Sequence, residues 1–365
     1  MDELVASLSR RGYTVIGPRL RDGAIVLEEI EGATSLPVGW SDDQEAATYR
    51  VRRHDERSLF AYAVGPQSPR RYLTPPRKTL WSAVRTERGF TIDEQQPAAP
   101  DYAFIGVRAC ELAAVGIQDK VLRDGPHPDP VYARARERAF FVGVNCGHPV
   151  ATCFCTSMGT GPQVTAGHDL AVTELLTDGA HQLLFEVGTE RGAEVLAELQ
   201  TNVQWRPATD ADFAALQQIL DATAVQMTRR LDPVAARDVL INNLEHPRWD
   251  DVASRCLSCT NCTLVCPTCF CSAVEDVGSL DGERADRVQR WDSCFTLGHS
   301  VLHGAGSVRG DTRSRYRQWL THKLSTWWDQ FDVSGCVGCG RCITWCPAAI
   351  DITKEVAAIA EGQDL

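Results

Sequence analysis

The stretch CVGCGRCITWCP, residues 336–347, sets four cysteines within eleven residues and follows the last with proline. Eighty residues earlier CLSCTNCTLVCP, residues 256–267, repeats the spacing cysteine for cysteine. The run C-x2-C-x2-C lets one tight loop aim three thiolates at three corners of an iron–sulfur cube. Structural zinc takes its ligands as separated pairs, and haem attachment needs a histidine directly after C-x-x-C. Neither pattern is present. Two such clasps predict two [4Fe–4S] clusters and place a mostly helical cluster domain at residues 232–365, with a long insertion between the clasps.

In two-cluster ferredoxins the cysteine before the proline ligates the other cluster. Applied here, the rule gives one cluster Cys256, Cys259, Cys262 and Cys346, and the other Cys336, Cys339, Cys342 and Cys266. Pro267 and Pro347 then turn the chain away without an N–H. Gly338 and Gly340 suit a tightly coiled loop, and Ser258 and Asn261 stand for them in the first clasp. Trp345 is expected either to keep water from the second clasp or simply to fill core space.

The rest of the chain sets limits. Its 365 residues are enough for two domains. A formal net charge of -11 argues against nucleic-acid binding, which needs a basic face. No apolar run reaches membrane-spanning length, and MDELVASLSRRGYTV lacks the basic-then-apolar order of a signal peptide. Fifteen cysteines then imply reduced thiols or metal ligands in a cytoplasmic protein, not disulfides.

Residues 1–231 alternate strand-like and helical runs, which predicts an α/β domain. YTVIGP, GAIVLEEI, ATYRVRR, SLFAYAVG, YAFIGV, AFFVGVNC, DLAVTEL and HQLLFEV are expected strands, and CELAAVGIQDKVL and ERGAEVLAELQ expected helices. A long amphipathic helix is expected over 210–231, capped by Asp210 and stopped by Asp232-Pro233. The fold class is therefore α+β. Further on, Tyr316, Leu320, Leu324 and Trp327 form a helical stripe, read as core-facing.

Seven cysteines lie outside the clasps. Cys110, Cys146, Cys153 and Cys155 fall at or just after expected strand ends, where loops of an α/β domain gather into sites. They are candidates for a third cluster, against the reading of buried cysteine as a small hydrophobe. Cys153 and Cys155 reach one point only if TCFC turns, because alternate residues of a strand face opposite ways. Cys269, Cys271 and Cys294 lie in the insertion; three thiols would need a borrowed fourth ligand, and packing near the first cluster or service as a backup thiol is the expectation. His148 is expected to be structural. The basic stretch 309–323 is either a docking face for an acidic partner or a solvated helix face with local pairs.

No catalytic site is identifiable: GTGP and GAGSVRG fall short of G-x-G-x-x-G, and H-E-x-x-H, G-x-S-x-G and a P-loop are absent. RACELAAVGIQDKVL, FFVGVNCGHPVATCFCTSMGTGP, CPTCFCSAVEDV, RWDSCF, RYRQWLTHK and CVGCGRCITWCP together resemble the beta subunit of sulfhydrogenases, from about residue 70 to 350. The A subunit of anaerobic sulfite reductase is a related match. GAGSVR (304–309) departs from the family's glycine-rich stretch ending in asparagine, aromatic and arginine. The resemblance implies an electron-transfer subunit of a cytoplasmic, NAD(P)-linked NiFe hydrogenase. It would sit beside a flavin/NAD(P)-binding subunit, a small iron–sulfur subunit and the NiFe large subunit. The alternatives are the sulfite reductase subunit and an iron–sulfur redox sensor or assembly factor.

Overall fold

The structure is a computed structural model; it describes all residues except 55–56, 94–99, 178–179, 305 and 362–365. In chain order its long strands are β1 (Thr14–Arg21), β2 (Ala24–Glu29), β3 (Trp40–Glu45), β4 (Thr48–Arg53), β5 (Arg77–Thr86), β6 (Gly89–Asp93), β7 (Tyr102–Arg108), β8 (Phe140–Val144), β9 (Leu170–Thr177), β10 (Ala180–Val187), β11 (Ser272–Gly278) and β12 (Arg284–Trp291).

Six of them form a sheet in the order β10-β9-β8-β7-β1-β2. The inner pairs β1/β7, β7/β8 and β8/β9 are parallel, and the two edge pairs are antiparallel. Parallel strands covered on both faces need apolar side chains in both directions. YAFIGVR and FFVGV meet that demand, and every residue of β8 is buried. Ala103, Ile105, Phe140 and Val142 pack one way, against Leu4, Leu8, Val195 and Leu199 of the helices Asp2–Arg10 and Glu190–Asn202. Phe104 and Phe141 pack the other way, against Leu112 and Val115 of the helix Ala109–Leu122.

The C-terminal half wraps helices Pro233–Asn242, Arg248–Arg255, 312–331 and Ile352–Ala360 around Trp249, Leu240, Leu320 and Ile359. Tyr316, Leu320, Leu324 and Trp327 are all buried in that half, as the stripe predicts. Within 312–331 the turn His322–Thr326 is a π-helix.

The α+β expectation holds, with three differences in detail. The insertion between the clasps is β11 and β12, a hairpin, and it joins β5 and β6 in one sheet ordered β11-β12-β5-β6. Strands from both sides of the composition change near residue 231 therefore share hydrogen bonds. SLFAYAVG is not a strand: its backbone is held by side chains. The Leu59 and Phe60 amides donate to the Glu174 carboxylate, the Ala63 amide to Asp42, and Arg108 donates to the Phe60 and Tyr62 carbonyls. Finally, the helix expected over 210–231 spans Asp210–Gln226, N-capped by Thr209 with Asp212 closing the capping box. Asp232-Pro233 starts the next helix, because the Asp232 carboxylate accepts from the Val234 and Ala235 amides and proline fits the first turn.

Candidate metal centres

The two clasps share one backbone shape. Gly338 and Gly340 have φ of +65° and +76°, and Ser258 and Thr260 have 49° and 69°. Thr260, not Asn261, is thus the counterpart of Gly340; Asn261 begins the short helix Asn261–Leu264, as Arg341 begins Arg341–Thr344. In each clasp the amide two residues after the first cysteine donates to its sulfur: Ser258 to Cys256 and Gly338 to Cys336, both 3.4 Å. Such amides favour the thiolate form that iron requires.

The fold brings Cys256, Cys259, Cys262 and Cys346 around one cavity, with Cys342 also on its wall and Phe295, Tyr316 and Trp319 supplying apolar lining. Cys336, Cys339, Cys342 and Cys266 are electrostatic neighbours of one another. Burial pushes the Cys262 and Cys342 thiols well above their ordinary range and Cys336 up to about 12. Buried thiols in that state are inert until a metal displaces the proton. Thiols in apolar surroundings, with amides aimed at sulfur, form the donor set that an iron–sulfur cube uses. Among the described residues no three His, Cys, Asp or Glu close on a point as ligands of a single ion would; the thiols ring spaces instead.

The N-terminal cysteines also meet. Cys110 opens the helix after β7, Cys146 follows β8, and TCFC lies in the irregular segment between β8 and β9. All four line a second cavity, together with Met227 and with Cys339 of the second clasp. TCFC turns, with the Cys153 amide donating to the Val150 carbonyl and the Met158 amide to that of Cys155. Both thiols therefore reach the cavity while Phe154 enters the C-terminal core. Burial pushes Cys110 and Cys153 well above the ordinary thiol range and Cys155 up to about 12.

Cavity and clasp touch through bare backbone. A Cβ on Gly338 would lie 2.6 Å from the Phe154 carbonyl oxygen, and one on Gly340 would lie 2.4 Å from that of Thr152. Arg341, fully buried, pairs with Glu111 of the Cys110 helix and donates to the Gly65 and Gln67 carbonyls. Outside the thiol cavity, sharing Ala109, Gly161 and Pro162 with its wall, lies a groove of about 550 Å3 floored by loop 159–167.

The insertion cysteines pair off at the base of the hairpin, where the Asp292 amide donates to the Cys271 carbonyl. The Cys294 thiol donates to Cys271 and lowers it to about 6; Cys269 donates to Cys266 and holds that sulfur well below its usual range. Sequence reasoning missed Lys323. It is buried, and its ammonium lies 3.4 Å from Cys266 Sγ and 3.1 Å from both Thr268 Oγ1 and the Gly335 carbonyl. The available signal was rarity: of 37 basic residues only Lys78, Lys120, Lys323 and Lys354 are lysines. His148 lines neither cavity; its Nε2 lies 3.2 Å from the Asp42 carbonyl oxygen. The basic stretch is engaged locally, Arg313 and Arg317 with Glu245, Arg309 with Gln318, and Arg315 with the Phe295 carbonyl. Trp345 stacks on Tyr49, with ring centroids 5.1 Å apart.

Residues 255–350 match the family of 4Fe-4S dicluster domains. Over 320 residues the chain is 32% identical to sulfhydrogenase 2 subunit beta of Pyrococcus furiosus, covering 87% of this chain and 90% of the relative. No solved structure is a significant match. No described helix is long and apolar enough to cross a membrane. This is an iron–sulfur protein, and the chain belongs to the family of sulfhydrogenase beta subunits.

Proposed function

We propose that this chain is a through-conductor of single electrons with three [4Fe–4S] sites in series. Cys110, Cys146, Cys153 and Cys155 hold the first, Cys336, Cys339, Cys342 and Cys266 the second, and Cys256, Cys259, Cys262 and Cys346 the third. The observation that carries the reading is the placement of one clasp between two cavities: Cys339 lines the N-terminal one and Cys342 the C-terminal one. Bound clusters of this type supply one-electron uptake and release at low potential. The protein's part is to fix their order and exclude water. Gly338 and Gly340 let the second clasp lie flat on TCFC, and Arg341 with Glu111 locks it there. Cys259, exposed in the first clasp, leaves the C-terminal end of the row open to a partner.

The electrons would pass between a flavin/NAD(P)-binding subunit and the catalytic subunit of a NiFe hydrogenase, with a small iron–sulfur subunit in the complex. The likeness to a sulfhydrogenase subunit of Pyrococcus furiosus supports this terminus over sulfite reductase. The test is anaerobic iron and acid-labile sulfide per chain. About twelve irons in the wild type, falling to about eight in Cys153→Ala/Cys155→Ala, are expected; about eight in both sinks the N-terminal site.

A further inference from the structure

Among the described residues Lys323 is a buried cation whose ammonium meets a cysteine sulfur and no carboxylate. Arg341 has Glu111, Arg70 donates to the carbonyls of Thr263 and Cys266 and lies over Trp291, and Arg108 donates to two carbonyls. Lys323 reaches Cys266 Sγ, one hydroxyl and one carbonyl, and packs 5.3 Å from the Trp327 ring centre. Among the described residues no carboxylate stands within ion-pair distance of it. An isolated ammonium is costly to bury, so a compensating negative charge belongs beside it. Its helix departs from α geometry at this point: Lys323 is in the π-turn His322–Thr326, a distortion that proteins keep at functional positions.

We propose that Lys323 is a positioning residue whose fixed positive charge, held on the sulfur of Cys266, sets the reduction potential of the cluster in the second clasp. The inference rests on the ligand set given above, in which Cys266 completes that site. An added electron makes a thiolate-ligated cluster more negative, and a neighbouring ammonium in a dry environment stabilises that state more than the oxidised one. Lys323 therefore raises the potential. Arginine keeps the charge, but its planar fork differs from a compact ammonium and samples the same sulfur less closely.

The experiment is an EPR-monitored redox titration of the full chain, purified anaerobically, as wild type, Lys323→Met and Lys323→Arg, each with its iron count. At equal iron, Lys323→Met is expected to lower the reduced fraction of one cluster at least tenfold at fixed potential. That corresponds to about 59 mV for one electron. Lys323→Arg should recover most of the shift. Unchanged potentials at equal iron overturn the role of Lys323 and leave the ligand set standing. A wild type with fewer than about eight irons overturns the ligand set itself. If Lys323→Met loads less iron, wild type grown on lysine labelled with 15N at Nζ decides the matter. Only four ammonium groups carry the label. A 15N hyperfine coupling to one reduced cluster, lost in Lys323→Arg, supports the proposal, and its absence in the wild type overturns it.

Discussion

Arg341 and Glu111 form an ion pair at 2.5 Å between the second clasp and the helix that begins beside Cys110, with both side chains 5% exposed or less. The guanidinium also donates to two carbonyls, so the pair lies at the centre of a hydrogen-bonded network. Breaking one partner of a buried pair strands the other charge and costs roughly 3–5 kcal/mol. Glu111→Gln and Arg341→Met are each expected to lose about that much in anaerobic denaturant titrations. Replacing both with apolar residues should recover a large part of it, because no charge is then left unpaired.

Gly340 and Thr260 hold the same left-handed conformation in the two clasps, and their surroundings differ. A Cβ on Gly340 would strike the Thr152 carbonyl, backbone that cannot swing aside. Gly340→Ala is therefore expected to cost well over the roughly 1–2 kcal/mol of left-handed strain alone, and to lower iron loading. Thr260→Gly relieves about the same strain, yet gives back about 0.4–1 kcal/mol through a freer unfolded chain. Its stability should stay within about 1 kcal/mol of the wild type.

Glu174 takes the place of a neighbouring strand for SLFAYAVG. Its two oxygens accept from the Leu59 and Phe60 amides, and its Oε1 lies 2.7 Å from Nε2 of His181. Glu174→Gln turns an amide N–H toward a backbone N–H and leaves a donor unsatisfied. The expected loss is about 1–3 kcal/mol, with amide hydrogen exchange rising first at residues 59–60. Unaltered exchange there would count against the account of that segment.

Cys271 carries the pH-dependent prediction. Because Cys294 donates to it, the thiolate persists above about pH 6 and is lost as the pH falls below that value. Iodoacetamide labelling of Cys271, read by mass spectrometry, should run near its plateau at pH 7 and pass through half near pH 6. Cys294→Ala removes the donor, so the midpoint should move up toward the ordinary thiol value.

Much of this architecture was legible from residue order alone. The clasps read as cluster loops because spacing and proline leave little else that four thiols could do. The central strands read as strands because burial on both faces demands unbroken apolar runs. Cys146, Cys153 and Cys155 read as loop residues after a strand, which is where they lie, whereas Cys110 lies in the first turn of the helix after β7. The hairpin β11–β12 escaped notice because SAVEDVG and RADRVQRW carry charge on both faces; only Val288 of β12 is fully buried, and none of β11. SLFAYAVG misled for the opposite reason, being apolar enough for a strand while its partners are side chains far away in sequence. Lys323 was hidden because burial of a lysine depends on thiols that tertiary folding brings to it.

The sheet that unites β5 with β12 also orders events during synthesis. Between the end of β5 at residue 86 and the start of β12 at residue 284 the ribosome must add nearly 200 residues. At about 5–20 residues per second this takes on the order of 10–40 s, during which one edge of the β5–β6 hairpin waits unpaired. Cys336, Cys339, Cys342 and Cys346 emerge later still. A nascent fragment truncated before β12 would therefore present an open strand edge, with neither clasp site complete.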